Sequence, residues 1–313
     1  MIGIEDIEAA RKRIAPHIRR TPAMALTATK EALPFAGAVT LKVESLQVTG
    51  SFKARGAMNR LLGAPAGEVA NGIVTASGGN HGLAVARTAF VAGVPATIFL
   101  PSNASAAKVA KIRRWKATVE VAGAMFDEAN AAALEFARRT GAAYFHPFAD
   151  PLVVAGQGTL GLEILEDIEG VDTLLVAIGG GGLMAGLATA VRARRPEMRI
   201  VGIEPTGSPT LKACLDAGRW MALPEVTTRV ATMACRETDE RIYERVRDTV
   251  DGIVLVGDDE MEAAARWLWF ETGIAADLSG AASLAALRRA DPLVAGSRHV
   301  CALVCGAGAE GTG

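Results

Sequence analysis

Short apolar runs alternate with amphipathic stretches along almost the whole chain. The short runs are typical of buried strands, and the longer stretches repeat their apolar residues at helical spacing. Strands are predicted at residues 39–43, 72–76, 96–100, 118–121, 173–178, 199–203, 252–256 and 299–304, and helices at 105–115, 127–139, 158–168, 183–194 and 259–272. Apolar strands separated by helices predict parallel sheets that helices cover on both faces.

The chain has 313 residues, enough for two domains. The predicted fold class is α/β, in which each domain is a mostly parallel twisted sheet flanked by helices. Residues 72–148 hold several strand–helix units, so we expect a small domain inserted into a large one of residues 1–71 and 149–313. For helix 259–272, Asp258 is the predicted N-cap, and Gly273 is expected to end it in the left-handed conformation.

Composition and charge exclude several classes of protein. The net charge is −1 and the pI is about 6.5. The chain therefore has no net positive electrostatic field that would attract nucleic acid or acidic lipid. The basic run in residues 108–116 is interpreted as a solvated helix face. The uncharged stretch 173–191 is as long as a membrane span, but four glycines divide it into a strand and a helix.

The chain is expected to be cytoplasmic. Acids near the N-terminus are not typical of a secretion signal, and four cysteines without CxxC spacing indicate reduced thiols. The four histidines show no metal-ligand spacing, so no metal is predicted. Only residues 306–313 follow the last predicted strand, so we expect no appended regulatory domain.

Lys53 lies in the segment Ser-Phe-Lys-Ala-Arg-Gly at 51–56, which is predicted to begin a helix. A single lysine at a helix start is ordinarily a surface residue. Here Phe52 precedes it and small or apolar residues follow it. An amine in such surroundings is desolvated and loses its proton readily, as Schiff-base chemistry requires.

The segment 75–81 joins a predicted strand to a helix through Ser77, Gly78, Gly79, Asn80 and His81. Backbone N–H groups at the start of a helix suit a carboxylate, and Ser77 and Asn80 add side-chain hydrogen bonds. The structural alternative is an ordinary glycine turn that Asn80 caps.

Four successive glycines, 179–182, lie between a predicted strand and a helix that begins at Leu183. Without β-carbons their amides can close around a phosphate at the helix N-terminus. However, Gly180, Gly182 and Ala185 also fit a GxGxxA dinucleotide pattern, with Glu204 placed to bind a ribose. These glycines alone do not decide which phosphate-bearing cofactor binds here. Cys305, at the end of the last strand, is by itself a plain buried thiol.

In this order the segments resemble the tryptophan-synthase-like (fold type II) family of pyridoxal phosphate enzymes, and within it the serine/threonine dehydratases. The resemblance covers nearly the whole chain. It is most specific in the run Thr-Gly-Ser-Phe-Lys at 49–53 combined with the distant glycines. Further matching segments are Thr21-Pro22, residues 41–48, 76–81, His146-Pro147-Phe148, 155–159 and 279–282.

The resemblance implies pyridoxal 5'-phosphate as the cofactor, bound in the cleft between the two domains. Lys53 would bind it as a Schiff base and later move the α-proton of the substrate, with Phe52 packed beside the ring. Asn80 would bind the ring hydroxyl, and Cys305 would face the pyridine nitrogen. The phosphate would be held by the amides of Gly179, Gly180, Gly181, Gly182 and Leu183.

The resemblance also implies the reaction. The substrate carboxylate would bind the turn of Ser77, Gly78 and Gly79, with help from the amide of His81. Because a neutral thiol at position 305 does not favour a pyridinium, elimination of the β-hydroxyl should follow α-proton removal closely. The expected products from a threonine- or serine-type amino acid are a 2-oxo acid and ammonia. A homodimer is expected from the resemblance alone.

The sequence departs from the family pattern at several positions. Similar serine racemases have a second serine where this chain has Gly78, so racemisation should be weak or absent. Thr232 and Met233 replace the usual Asp-Gly and are expected to place a bulky side chain near the substrate. Asp277-Leu278 stands where Glu-Pro is common, and Gly-Ala-Gly at 306–308 replaces Gly-Gly-Asn. Thr210 stands where some relatives have an acidic ligand for a divalent cation, alongside Glu204 and the Ser208 carbonyl, so that metal is not predicted.

Other functions remain open on the sequence alone. Within the same fold these are β-replacement and racemisation. Outside it, the GxGxxA pattern would suit an NAD-binding oxidoreductase, and a non-catalytic cofactor-binding module is also possible. The Lys53 and Asn80 segments have no role in an NAD-binding protein of that kind.

Overall fold

The computed structural model describes residues 2–77, 79–102, 104, 106–124 and 126–312. Its strands are β1 (Ala23–Ala25), β2 (Ala38–Lys42), β3 (Ile73–Ala76), β4 (Ala96–Leu100), β5 (Thr118–Val121), β6 (Ala143–Tyr144), β7 (Thr173–Ala177), β8 (Arg199–Pro205), β9 (Gly252–Val256) and β10 (His299–Leu303). Its helices are α1 (Ile4–Ile14), α2 (Lys53–Leu62), α3 (Asn80–Ala92), α4 (Ala106–Arg114), α5 (Phe126–Thr140), α6 (Pro151–Asp167), α7 (Gly182–Arg194), α8 (Thr210–Ala217), α9 (Glu240–Thr249), α10 (Asp258–Thr272), α11 (Leu278–Arg288) and α12 (Pro292–Ala295).

The larger sheet has the order β1-β2-β10-β7-β8-β9. Neighbouring strands are parallel except β1, which runs antiparallel to β2. The last strand of the chain, β10, lies between β2 and β7, so that Val300 is paired with both Val39 and Thr173. The main hydrophobic core packs against this sheet and includes the apolar face of α7.

The smaller sheet has the order β5-β4-β3-β6, and its strands are all parallel. All four of its strands fall between residues 73 and 144. The α/β class with two mostly parallel sheets is therefore confirmed, while the exact domain limits at 72 and 148 stay a prediction. The short strands β1 and β6 were not predicted, because their three and two residues carry no periodic signal.

Two predicted helix starts are wrong. Helix α6 begins at Pro151 rather than residue 158, because the Asp150 carboxylate accepts the Leu152 amide at 2.7 Å and Pro151 suits the first helical position. The N-cap of α10 is Gly257 and not Asp258: Glu260 reaches back to the Gly257 amide at 2.6 Å. Gly273 ends α10 at φ 69°, as predicted. Among the described residues, no helix has both the length and the apolar character needed to cross a bilayer.

A buried ionic network fastens α2 to the rest of the larger domain. Arg55 donates two hydrogen bonds to Glu44, at 2.7 and 2.8 Å, and lies 2.9 Å from Glu163 of α6. Lys42 of β2 donates to Glu163 and to Asp167, both at 2.7 Å. Because Arg55 lies two residues after Lys53, this network fixes the helix that carries the predicted reactive amine.

Candidate active site

Lys53 is the first residue of α2, and its amine donates to the carbonyl of Pro147 at 2.8 Å. Pro147 lies in the loop between β6 and α6, so the contact joins the larger sheet's helix to the end of the smaller sheet. The side chain is half-buried. Desolvation lowers the pKa of the amine from 10.5 to about 8. A neutral, nucleophilic amine is therefore available near physiological pH.

This pKa predicts the pH dependence of Lys53 reactivity in the cofactor-free chain. Competitive acetylation followed by mass spectrometry should give half-maximal labelling of Lys53 near pH 8, and labelling should fall about tenfold for each lower pH unit. In the urea-unfolded chain the midpoint should return to 10.5. Between these two values the unfolded chain binds more protons, so the stability of the cofactor-free chain should rise with pH across that window. A folded-state midpoint at the unfolded value would contradict the desolvated placement of the amine.

Residues 179–182, here called the tetraglycine loop, connect β7 to α7. Gly181 has φ +85°, a conformation that favours glycine. Within the described residues, none of the amides of residues 179–183 donates a backbone hydrogen bond. The Thr238 hydroxyl donates to the Gly180 carbonyl at 3.0 Å and holds the loop from outside. Free amides in succession at the start of a helix form a site for a phosphate.

The loop requires glycine because Phe148 lies directly against it. A Cβ on Gly180 would lie 2.2 Å from the Phe148 ring, and one on Gly182 would lie 2.4 Å from the Phe148 carbonyl oxygen. The amine of Lys53 and the tetraglycine loop therefore contact consecutive residues, Pro147 and Phe148. The predicted amine and phosphate sites thus both border the segment 147–148.

Gly182→Ala should test this close approach. The methyl group would displace the Phe148 backbone or the loop, and overpacking of this kind typically costs about 1–3 kcal/mol. We expect the dissociation constants of inorganic phosphate and pyridoxal phosphate to rise roughly five- to hundredfold, measured by calorimetry. Gly296→Ala is the matched control, since a Cβ there meets nothing within 4 Å. Equal affinities for the two variants would show that the loop is not the phosphate site.

The turn at residues 77–80 places two further predicted residues. Ser77 accepts the Gly79 amide at 3.2 Å, and Asn80 and His81 begin α3. Their amides donate no backbone hydrogen bond within the described residues, so they can receive a carboxylate. His81 is buried; burial, and then the charge of Lys53, lower its pKa to about 3 and keep the ring neutral. Gly78 lies outside the described residues.

The far side of the site is organised by Asp277, to which the sequence assigned no role. Asp277 is buried and accepts the Asn80 amide group at 2.8 Å and the Ser279 hydroxyl at 2.6 Å. The Cys305 thiol donates in turn to the Ser279 hydroxyl at 3.7 Å. The Cys305 carbonyl accepts the Phe52 amide at 3.2 Å. A chain of hydrogen bonds through the Asp277 carboxylate and the Ser279 hydroxyl therefore connects Asn80 to Cys305. The Cys305 carbonyl continues it to Phe52, the residue before Lys53.

Asp277 is also the N-cap of α11, because its carboxylate accepts the Gly280 amide at 2.7 Å. An acid directly before an apolar, small-residue helix is the sequence signal that could have found it. Burial raises the pKa of the Cys305 thiol, which is therefore neutral. A neutral group at this position agrees with what the family resemblance implies.

The segment at 232–233 differs from its sequence expectation in detail. Met233 is buried in the core, whereas Thr232 lies between two predicted ligand turns. Its methyl group is 3.4 Å from a Cβ built on Gly79, and its carbonyl oxygen is 3.0 Å from one built on Gly179. Thr232 is thus the residue of this pair that borders the site.

The Glu204 carboxylate faces the start of α8. It is fully buried, and its two oxygens accept the amides of Leu211 and Lys212 at 2.8 and 2.9 Å, so it caps α8. This placement counts against the ribose role that the dinucleotide pattern assigns to it. The hydroxyls of Ser208 and Thr210 both donate to the Cys235 carbonyl. Among the described residues no group of three or more His, Cys, Asp or Glu side chains could hold a metal ion.

An amine that readily loses its proton, a cradle of free amides and a neutral thiol within one site fit a ligand that carries both an aldehyde and a phosphate. The comparisons with known proteins agree. The chain belongs to the family described as "Pyridoxal-phosphate dependent enzyme", whose model matches residues 14–306. The resemblance predicted from the sequence, and pyridoxal phosphate as the cofactor, are therefore confirmed.

Individual relatives and solved structures show which members of this family the chain resembles. The chain is 39% identical over 303 residues to an L-threonine ammonia-lyase of Geobacter sulfurreducens, covering 97% of this chain and 75% of that protein. It resembles the crystal structure of a T.th. threonine deaminase at TM-score 0.88 and 36% identity, over 98% of both chains. It resembles maize serine racemase at TM-score 0.92 and 32% identity, over 97% of this chain and 93% of that one.

Proposed function

We propose that this protein is an ammonia-lyase that removes water from a β-hydroxy amino acid of the threonine or serine type. The Cα–H and Cβ–O bonds break, and the resulting enamine takes up water to give a 2-oxo acid and ammonia. The observation that carries the proposal is the attachment of the Lys53 amine and the tetraglycine loop to the consecutive residues Pro147 and Phe148. The L-threonine ammonia-lyases among the relatives support the same substrate class.

Lys53 is the proposed catalytic residue. When bound, pyridoxal phosphate supplies an electron-withdrawing ring that acidifies the α-hydrogen of an amino acid. The low pKa of the Lys53 amine lets Nζ accept that hydrogen as a proton and return it later. Because α2 is held by buried ion pairs, the backbone from which the Lys53 side chain extends keeps its position.

The other residues bind and orient. The amides of residues 179–183 would hold the phosphate, and Phe52 would pack beside the ring. The amides of Asn80 and His81, with Ser77, Gly78 and Gly79, receive the substrate carboxylate. Cys305, a neutral thiol, would lie by the ring nitrogen of the cofactor. A neutral partner there would limit stabilisation of negative charge on Cα and favour prompt departure of the β-hydroxyl.

Racemisation is the second candidate, because maize serine racemase superimposes well on this chain. Racemisation needs an acid on the opposite face of the substrate. Position 78 is glycine and carries no acid or base, so we expect elimination to dominate. β-Replacement would use the same site, but a thiol would add to Cβ to give a new amino acid instead of a 2-oxo acid and ammonia.

A single assay separates these outcomes. The purified full chain, with pyridoxal phosphate, is given L-threonine or L-serine, and ammonia, 2-oxo acid, D-amino acid and thiol adduct are quantified together. We expect 2-oxobutyrate or pyruvate in equal amounts with ammonia. Ammonia release from no member of a β-hydroxy amino acid panel would refute the proposal. Predominant D-serine, or a new amino acid when thiols are supplied, would reassign the reaction.

Assembly and location extend the same proposal. The family resemblance suggests a homodimer, which sedimentation would detect at twice the mass of 32.4 kDa. The four cysteines are all free thiols. Free thiols suit a reducing compartment, so we place the protein in the cytoplasm.

A further inference from the structure

The turn at residues 146–149, here called the histidine turn, lies between β6 and α6. Its shape depends on one acceptor: Nδ1 of His146 receives the amides of Phe148 at 3.2 Å and Ala149 at 2.9 Å. The His146 ring also packs edge-on against the Phe148 ring, with centroids 4.6 Å apart. Since two N–H groups point at Nδ1, that nitrogen carries no proton. The neutral ring therefore holds its hydrogen on Nε2.

The surroundings of His146 keep the ring in this state. Burial, followed by the positive charge of Lys53, lowers its pKa to about 4. Protonation of Nδ1 would place its N–H against the amide N–H groups of Phe148 and Ala149, with no acceptor between them. Their repulsion would open the turn.

The histidine turn touches both ends of the proposed cofactor site. Pro147 accepts the Lys53 amine at 2.8 Å. Phe148 lies against Gly180 and Gly182 so closely that neither tolerates a Cβ. Each end also has its own support: Arg55 holds α2 through Glu44, and Thr238 holds the tetraglycine loop. Residues 147 and 148 therefore relate the two ends directly, in addition to the packing of α2 and α7 against α6.

We propose that His146 is a positioning residue that fixes the separation between the Lys53 amine and the tetraglycine loop, so that one phosphorylated aldehyde reaches both. This inference rests on the proposed function. A ligand that touches only one end does not sense the separation. The effect of losing the Nδ1 acceptor should therefore fall on pyridoxal phosphate and spare inorganic phosphate.

The test compares His146→Leu with His146→Asn in the full chain. Asparagine carries an oxygen on the same side-chain carbon that bears Nδ1, and it commonly accepts amides two or three residues ahead, whereas leucine has a similar size and no acceptor. His17→Leu is the control for a histidine outside the site. Each protein is titrated with pyridoxal phosphate and, separately, with inorganic phosphate. The covalent adduct at Lys53 is trapped with borohydride and quantified by mass spectrometry, and far-ultraviolet circular dichroism monitors the fold.

For His146→Leu we expect pyridoxal phosphate affinity to fall roughly tenfold to hundredfold, as for two lost amide hydrogen bonds, with a matching loss of trapped Lys53. Phosphate affinity should change less than about threefold, and His146→Asn should recover most of the loss. Three results would overturn the inference: wild-type affinity in His146→Leu, an equal defect in His146→Asn, or equal weakening of both ligands. If His146→Leu does not fold, the His146→Asn variant still decides. Normal affinity of that variant for pyridoxal phosphate supports the acceptor role, whereas a loss of pyridoxal phosphate affinity with unchanged phosphate affinity overturns it. Failure of the unaltered chain to bind pyridoxal phosphate would refute the proposed function itself.

Discussion

Lys53→Ala is expected to leave a colourless protein that forms no 2-oxo acid from threonine or serine. Alanine removes both the covalent anchor of the cofactor and the group placed to move the α-proton. Loss of a positioned acid–base group alone typically lowers the rate about 10²- to 10⁴-fold, and loss of the anchor adds to this. We therefore expect activity at least about 10³-fold below that of the unaltered chain, measured by ammonia release under saturating cofactor.

The same experiment contains its controls. Inorganic phosphate should bind Lys53→Ala normally, because the tetraglycine loop supplies its own amides. Lys12→Ala, at an exposed position on α1, should keep full colour and activity. A Lys53→Ala protein that retains more than about a tenth of the activity would transfer the catalytic role to another residue.

Arg55→Met is expected to give the largest loss of stability. Arg55 is buried and neutralises Glu44 and Glu163. Burial by itself would raise the pKa of Glu163, but Arg55 and Lys42 outweigh it and hold that pKa below its ordinary value. Removing one partner of a buried pair leaves an uncompensated charge and typically costs about 3–5 kcal/mol. Urea unfolding followed by circular dichroism should show a loss of this size.

Two further variants serve as comparisons for Arg55→Met. Arg55→Lys keeps the charge but loses the planar pair of donors that Glu44 accepts, so its stability should lie between those of Arg55→Met and the unaltered chain. Arg138→Ala removes an exposed pair with Glu135 on α5 and should change stability little. A loss below about 1 kcal/mol in Arg55→Met would mean that the buried carboxylates become protonated or rehydrated at little cost.

Much of the fold could be predicted because its strands are buried and continuous. Residues 96–100 and 252–256 were predicted to the residue, since each is a mostly buried apolar run with a clear break on either side. Residues 118–121 were also predicted to the residue, although this edge strand is mostly exposed. Helix α6 was started seven residues late because its first two turns are apolar on every side and show no amphipathic period. There the signal lay in the cap, Asp150 followed by Pro151.

The site was predictable where the backbone supplies the binding groups. Glycines 179–182 and the turn at 77–80 indicate free amides in the sequence itself. Asp277 and His146 were missed as functional residues for a different reason. Each acts by accepting hydrogen bonds whose donors can be named only after folding: the Asn80 side chain for Asp277 and the amides of Phe148 and Ala149 for His146. A single acceptor between distant or local donors leaves no periodic pattern.

The position of β10 has a consequence for how the protein is made. This strand follows every other strand of the larger sheet in the sequence, yet it fills the gap between β2 and β7. While the ribosome is still synthesising residues before 299, both of those strands present open edges, which invite pairing with other nascent chains. Closure then requires contacts between the two ends of the chain, and such long-range closure is slow. The Cys305 carbonyl, which accepts the amide of Phe52 next to Lys53, directly follows this strand. We therefore expect the proposed cofactor site to be completed only at the end of folding.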